Sequence, residues 1–366
     1  MPFPKGLTSP SSPSSPRNSE PSSWEANVAA SQGRNSKITI VSFHGLFRNL
    51  AAAKSMMSQW VFSSPSNFLD ICVPENCHTI ACRHDGIFYL DMTGEDAGKP
   101  LGELNIAKYL EKSKELHALS DVEKLGFELD NILPLGTTGY KAAGKFHGVL
   151  AGDHPIEEDW LITSNAVDDP AHFQTHLPPP LFDKLFDFYA IARFHFIGLG
   201  LLDHLAHALS SKDLRSAHTD GHSNTSSLVL AKCIPTTQGQ ADNLEAHTDP
   251  GTLLILFNPP PSLHLFRPAD AQKPKSKPKY IPISPPMGSA AVIVGDALSF
   301  LTRGRLQAAK LVMVSARGME DVEEWHSVAY RLGPDEKATL VDFRKVKWPA
   351  RDWHAVRMGV EADEIL

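Results

Sequence analysis

Apolar positions in the first half of the chain recur mostly at helical spacing, and in the second half they gather into short β-type segments. Lys37-Ile38-Thr39-Ile40-Val41-Ser42-Phe43 opens the ordered part with a β-branched alternation that predicts a strand. A helix-like stretch carrying Ala81 and Cys82 follows, then a strand at Gly86-Ile87-Phe88-Tyr89-Leu90-Asp91. Ile106 to Leu116 suits a helix, with Ile106, Tyr109, Leu110 and Leu116 on one apolar stripe. From Pro180 to about Leu209, Phe182, Leu185, Phe186, Tyr189, Phe196, Leu199 and Leu202 return at helical spacing and read as core packing. After Ser226 the pattern becomes short β-type segments between Pro and Gly: Leu228 to Ile234, Thr252 to Phe257, Leu263 to Phe266, Ala290 to Val294 and Ser327 to Leu332. Helices first and closely spaced strands afterwards predict a mainly β, α+β fold, a β core with helical support.

Composition sets the borders. Residues 1–36 are dominated by Ser and Pro, with almost nothing large to bury, and read as a disordered arm. Residues 37–366 then form a single domain, with a strand and helix region at 37–215, the β core at 226–335 and a C-terminal segment at 336–366. A formal charge of -7 gives no basic footprint. Lys273, Lys275, Lys277 and Lys279 read as a solvated loop, so a nucleic-acid partner is not expected. No apolar run reaches the ~20 residues of a membrane span. Four cysteines, three of them at Cys72, Cys77 and Cys82 and the fourth at Cys233, match neither a disulfide framework nor a Cys-x-x-Cys zinc site, and read as reduced thiols. The first residues lack the apolar segment of a secretory signal, which makes a cytoplasmic location the expectation.

The chemistry centres on Ala246-His247-Thr248-Asp249, which on a strand turns an imidazole and a carboxylate to one face. Alone, a His-x-Asp pair is a weak sign of a metal site. Its sequel, His247-Thr248-Asp249-Pro250-Gly251-Thr252-Leu253, is joined in order by Gly86-Ile87-Phe88-Tyr89-Leu90, Gly139-Tyr140-Lys141, Gly295-Asp296-Ala297-Leu298-Ser299-Phe300-Leu301-Thr302 and Gly304-Arg305-Leu306. Together these blocks resemble the isopenicillin-N-synthase-like branch of the iron/2-oxoglutarate-dependent oxygenases over nearly the whole ordered chain.

That resemblance implies a double-stranded β-helix (jelly-roll) core supported by N-terminal and middle helices. It also implies Fe(II) on a triad of two histidines and a carboxylate, and 2-oxoglutarate gripped by an Arg-x-Ser pair. His247 and Asp249 fall on two of the metal positions, and Leu311 stands at the third. Ser327 matches the serine of the co-substrate pair, while Trp325 replaces its arginine. The family's Tyr-Pro element reads Lys232-Cys233-Ile234-Pro235, without tyrosine. Replacements from elsewhere are disfavoured. His326 faces away from Ser327 by alternation, and Arg331 shares the parity of Ser327 but lies roughly 13 Å along the strand. His264 reads as structural, and His195, His204, His207, His218 and His222 fall on a helix and its following loop.

Two functions therefore compete. One is an oxidoreductase that uses Fe(II) and 2-oxoglutarate for hydroxylation, desaturation or ring closure of a small molecule in secondary metabolism, in a pocket lined near Leu230, Leu254, Ile293 and Ser327. The other keeps the fold but not oxygen activation, as a metal-independent catalyst or small-molecule-binding protein, with His247 and Asp249 as an acid/base pair or a hydrogen-bonded relic.

Overall fold

Along the chain, a computed structural model describes residues 38, 40–42, 77–92, 106–128, 138–142, 157–163, 177–178, 188–211, 213–218, 224–233, 246–269, 277–314, 324–341 and 345–357. The Ser/Pro arm, Cys72, Phe182, Leu185, Phe186, His222, Lys273 and Lys275 lie outside them. In chain order the elements are β1 (Ile40–Ser42), α1 (Cys77–His84), β2 (Ile87–Asp91), α2 (Ile106–His117), α3 (Asp121–Leu125), β3 (Gly139–Lys141), β4 (Glu157–Thr163), α4 (Phe188–Ala208) and α5 (Asp213–Ser216). There follow β5 (Ser227–Cys233), β6 (Leu253–Phe257), β7 (Leu263–Arg267), β8 (Lys279–Pro282), β9 (Ser289–Val294), α6 (Asp296–Leu301), β10 (Leu311–Met313), β11 (Trp325–Leu332), β12 (Thr339–Val341), β13 (Lys347–Pro349) and α7 (Ala350–Arg357).

Eight strands form one sheet in the order β1-β2-β9-β6-β11-β5-β4-β3, and β10-β7-β8 form a second. Apart from the parallel β1–β2 pair, the ladders in both are antiparallel. Alternation decides which core each residue joins. Val328, Tyr330 and Leu332 of β11, with Leu253, Ile255 and Phe257 of β6, pack against Phe194, Ile197, Leu201 and Leu205 of α4. Ala329, Leu254 and Leu256 turn the other way and meet Leu263, Leu265, Ile281, Leu311 and Met313 of the small sheet. The large sheet thus has helices on one face and the small sheet on the other. Phe194 stacks on Tyr330 with ring centroids 5.7 Å apart, at the middle of the helix side.

Three expectations change. Gly139-Tyr140-Lys141, which the resemblance places in a loop before the middle helices, is an edge strand, because it pairs with β4, an element that the apolar pattern did not predict. Lys279 opens β8, so the lysine cluster is not wholly a loop. Leu230 packs on the helix side, and its neighbours Val229 and Ala231 face the space between the sheets. Among the described residues, no helix is long and apolar enough to cross a membrane.

Candidate functional site between the two sheets

His247 and Leu311 face each other across a short antiparallel bridge. The His247 N–H donates to the Leu311 carbonyl at 2.9 Å, and the Leu311 N–H to the His247 carbonyl at 2.7 Å. Residues that exchange both bonds in this way project their side chains to the same face. The histidine and the leucine therefore stand side by side, and Leu311 is buried in the apolar core between the sheets.

Two positions on, the chain turns sharply and presents Asp249. Its Oδ1 accepts the Gly251 N–H at 2.7 Å, while the Thr252 N–H donates to the Leu332 carbonyl at 2.7 Å and fastens the turn to the end of β11. Glycine is required at this crossing. A Cβ on Gly251 would lie 2.6 Å from Arg331 Cγ and 2.8 Å from Asp249 Oδ1, and one on Gly295 would lie 2.1 Å from the Gly251 carbonyl oxygen. The Gly-Asp turn before α6 consequently packs directly on the Asp249 turn, and the Asp296 N–H donates to the Asp249 carbonyl at 2.8 Å. Thr248 Oγ1 donates to Asp296 Oδ2 at 2.8 Å, and Arg357 of α7 pairs with the same carboxylate.

The second oxygen of Asp249 accepts from Arg331 Nε at 2.9 Å. Burial works against the arginine's charge. Asp249, helped by Asp159 and Glu157, outweighs that cost, so the guanidinium pKa lies above its ordinary value. Arg331 carries no expected role, since it lies too far along β11 from Ser327; in the fold it meets a carboxylate of the chain itself. His354 of α7 also feels this pair, and burial, with Arg331 adding to it, pushes its pKa down to about 4.

Fe(II) does not fit this arrangement as a triad. Leucine offers no donor, both Asp249 oxygens are engaged, and among the described residues no group of three His, Cys, Asp or Glu side chains could hold a metal ion. The 2-oxoglutarate position differs in the same sense. Trp325 Nε1 and Ser327 Oγ both donate to the Asn258 carbonyl, at 2.9 Å and 2.8 Å, so the two donors turn to the chain's own backbone.

Other charged groups near the site escaped the sequence reading. In the β4–β5–β11 register Glu157 lies beside Cys233 and Trp325, and Asp159 beside Ala231 and Ser327. Asp159 pairs with Lys141 of β3. Burial, then the nearby Asp159, pushes the Glu157 carboxyl up to about 7, against the opposing pull of Lys141 and Arg331. Burial also pushes the Cys233 thiol up to about 12, with Glu157 adding to it. The run of three acidic residues ahead of Trp160 was the available signal.

His326, His264, His195 and His218 are hydrogen-bonded within the fold. His326 faces the helices, as alternation requires, with Nδ1 at 2.9 Å from Ser113 Oγ and Nε2 at 3.1 Å from Glu324 Oε1. His264 Nδ1 lies 2.9 Å from the Ser262 carbonyl, His195 Nδ1 2.9 Å from Tyr330 Oη, and His218 Nε2 2.7 Å from Thr252 Oγ1. His204 and His207 lie on α4. Cys82 and Cys233 are free and buried.

No family model matches the chain. Among curated proteins, it is 27% identical over 286 residues to a 2-oxoglutarate-dependent dioxygenase of Gibberella zeae, covering 76% of this chain and 80% of that one. It is 28% identical to the 2-oxoglutarate-dependent dioxygenase gloE of Glarea lozoyensis, over 75% of this chain and 79% of the relative. The 2-oxoglutarate-dependent dioxygenase iboH of Amanita muscaria is 29% identical, over 49% of this chain and 86% of its own length. Among solved structures, a full-length Neurospora crassa protein in complex with alpha-KG and 5-formyluracil superposes with a TM-score of 0.62 at 15% identity, covering 89% of this chain and 98% of that one. A 2OG-Fe(II) oxygenase family protein from Caulobacter crescentus gives 0.60 at 17% identity, covering 88% and 99%. At such identities the structural likeness is one of fold.

Proposed function

We propose, from the premise that this chain belongs to the iron/2-oxoglutarate-dependent oxygenase superfamily, that it serves secondary metabolism by acting on or binding a small molecule between its two sheets. In this reading the two-sheet core is the superfamily's jelly roll, the branch is the isopenicillin-N-synthase-like one, and the protein is cytoplasmic.

Two chemistries compete for the site. The first is that of the named relatives, an oxidoreductase with Fe(II) held by His247 and Asp249 and 2-oxoglutarate near Ser327; likeness over three-quarters of the chain supports it. The second is metal-independent binding or catalysis, and the geometry supports it best. The observation that carries it is the Arg331–Asp249 ion pair, beside a buried leucine at the third ligand position. His247 and Asp249 then act as fixed polar features of the wall.

Anaerobic addition of Fe(II) and 2-oxoglutarate to the full chain discriminates between them. The metal-independent reading expects no visible charge-transfer band and no succinate once air is admitted. A band followed by stoichiometric succinate would establish the first chemistry instead.

A further inference from the structure

We propose that Arg331 is the resident cation of this site: its guanidinium holds the Asp249 carboxylate as a metal ion otherwise would, and keeps divalent metal out even when a third ligand is supplied. This rests on the metal-independent reading above and names the residue that enforces it.

Strand parity is the first support. Arg331 leaves β11 on the same face as Ser327 and Ala329, towards the small sheet and the His247 segment, whereas Tyr330 and Leu332 face the helices. Contact is the second. Arg331 Nε lies 2.9 Å from Asp249 Oδ2, the Gly251 N–H takes the other oxygen at 2.7 Å, and the Asp249 side chain is only 5% exposed. Packing is the third. The arginine stem lies so close over the Gly251 turn that a Cβ there would come within 2.6 Å of Arg331 Cγ, so the side chain is seated in the wall.

Charge explains why such an arginine belongs here. A carboxylate this buried is costly without a cation. With leucine in place of a histidine, a divalent ion would keep only part of its donor set, and the chain supplies the missing positive charge from β11 instead. To reach Asp249 Oδ2 a metal ion must displace the guanidinium and then sit beside it, where like charges oppose one another. Restoring the histidine at position 311 leaves that obstacle in place.

Cobalt(II), whose d–d bands report ligation, tests this in the full chain and in the Leu311→His, Leu311→His/Arg331→Met and Leu311→His/Arg331→Lys variants. The unsubstituted chain should bind no cobalt at the site, and Leu311→His only weakly. Removing the guanidinium in the methionine double variant should tighten binding by roughly 10–100-fold, the range over which groups around a metal's ligands move its affinity. The lysine double variant keeps the charge and should stay with the single variant. Should the methionine variant fail to fold by circular dichroism, Arg331→Gln replaces it with the same expectation. Equal cobalt affinity in Leu311→His and the methionine double variant overturns the role of Arg331 while leaving the metal-independent reading standing. Tight cobalt binding by the unsubstituted chain, lost in Asp249→Asn, overturns that reading itself.

Discussion

The two faces of the large sheet are made by the same strands and built to opposite ends. Towards the helices, β4, β5, β6 and β11 present Trp160, Leu228, Leu230, Ile255, Val328 and Tyr330, large side chains almost wholly removed from water. Towards the small sheet the same strands present Val229, Ala231, Ala329 and Ser327, together with Glu157, Asp159 and Arg331. One face buries large apolar side chains against the helices, and the other mixes small residues with Leu254 and Leu256 and brings ionisable side chains to its border. The two faces are thus drawn from alternate residues of single strands, which is what a period of two permits.

Titration separates the faces most strongly. On the helix side, burial holds His117 near pH 4 and His218 near 3, and His354 behind the Asp249 turn is held near 4, against 6.5 for a free histidine. The unfolded chain binds more protons below pH 6.5, so stability present above that value is lost as the pH falls through the folded values, by up to about 1.4 kcal/mol per pH unit for each histidine. Glu157, on the other face, works in reverse: its folded value of about 7 exceeds the 4.5 of a free carboxyl, so its contribution is present below pH 4.5 and lost as the pH rises towards and through 7. Urea unfolding from pH 7.5 to 4 should show the acid limb dominating; a flat profile below pH 6.5 would mean the histidines are not held neutral.

Adjacent residues on β11 supply the next contrast. Tyr330→Ala should lose about 3–5 kcal/mol, as expected for truncating a buried aromatic, and Ala329→Gly no more than about 1 kcal/mol. Comparable losses in thermal or urea unfolding would break the distinction between the faces. Smaller again, Asp249→Asn should cost about 2–3 kcal/mol by leaving Arg331 without its carboxylate, below the range for fully buried pairs because the arginine side chain is 22% exposed. The double replacement Asp249→Leu/Arg331→Met should recover most of that loss, and a strictly additive double-mutant cycle would deny the coupling. Least of all, Ser120→Ala removes the capping box that Ser120 and Glu123 form at the start of α3. It should lower stability by about 1 kcal/mol without altering ligand binding.

β5, β6, β7, β9 and β11 were legible in the sequence as short β-type segments, because most of each strand is apolar on both faces. β4 was not, since it opens on three successive acidic residues, Glu157, Glu158 and Asp159, with no apolar alternation. In the fold Lys124 and Tyr140 hold Glu158 at 3.2 Å and 3.0 Å, and Lys141 pairs with Asp159. Those partners come from α3 and β3, and no local pattern reveals them. At the site, Leu311 lies across a short bridge from His247. Arg331 was discounted by its distance from Ser327 along the strand. The relevant distance was to Asp249, whose turn crosses the far end of β11, a tertiary relation that strand arithmetic does not contain.

Trp325 has an optical consequence. Its ring is partly exposed beside the core between the sheets, and its indole N–H is fixed on the Asn258 carbonyl that also receives Ser327. A molecule that enters along this edge and competes for that carbonyl alters the hydrogen bond of an excited-state dipole, and so shifts the emission. The residue standing where an anion clamp would be is therefore a built-in fluorophore, able to report which compounds enter the space between the sheets before any reaction is known.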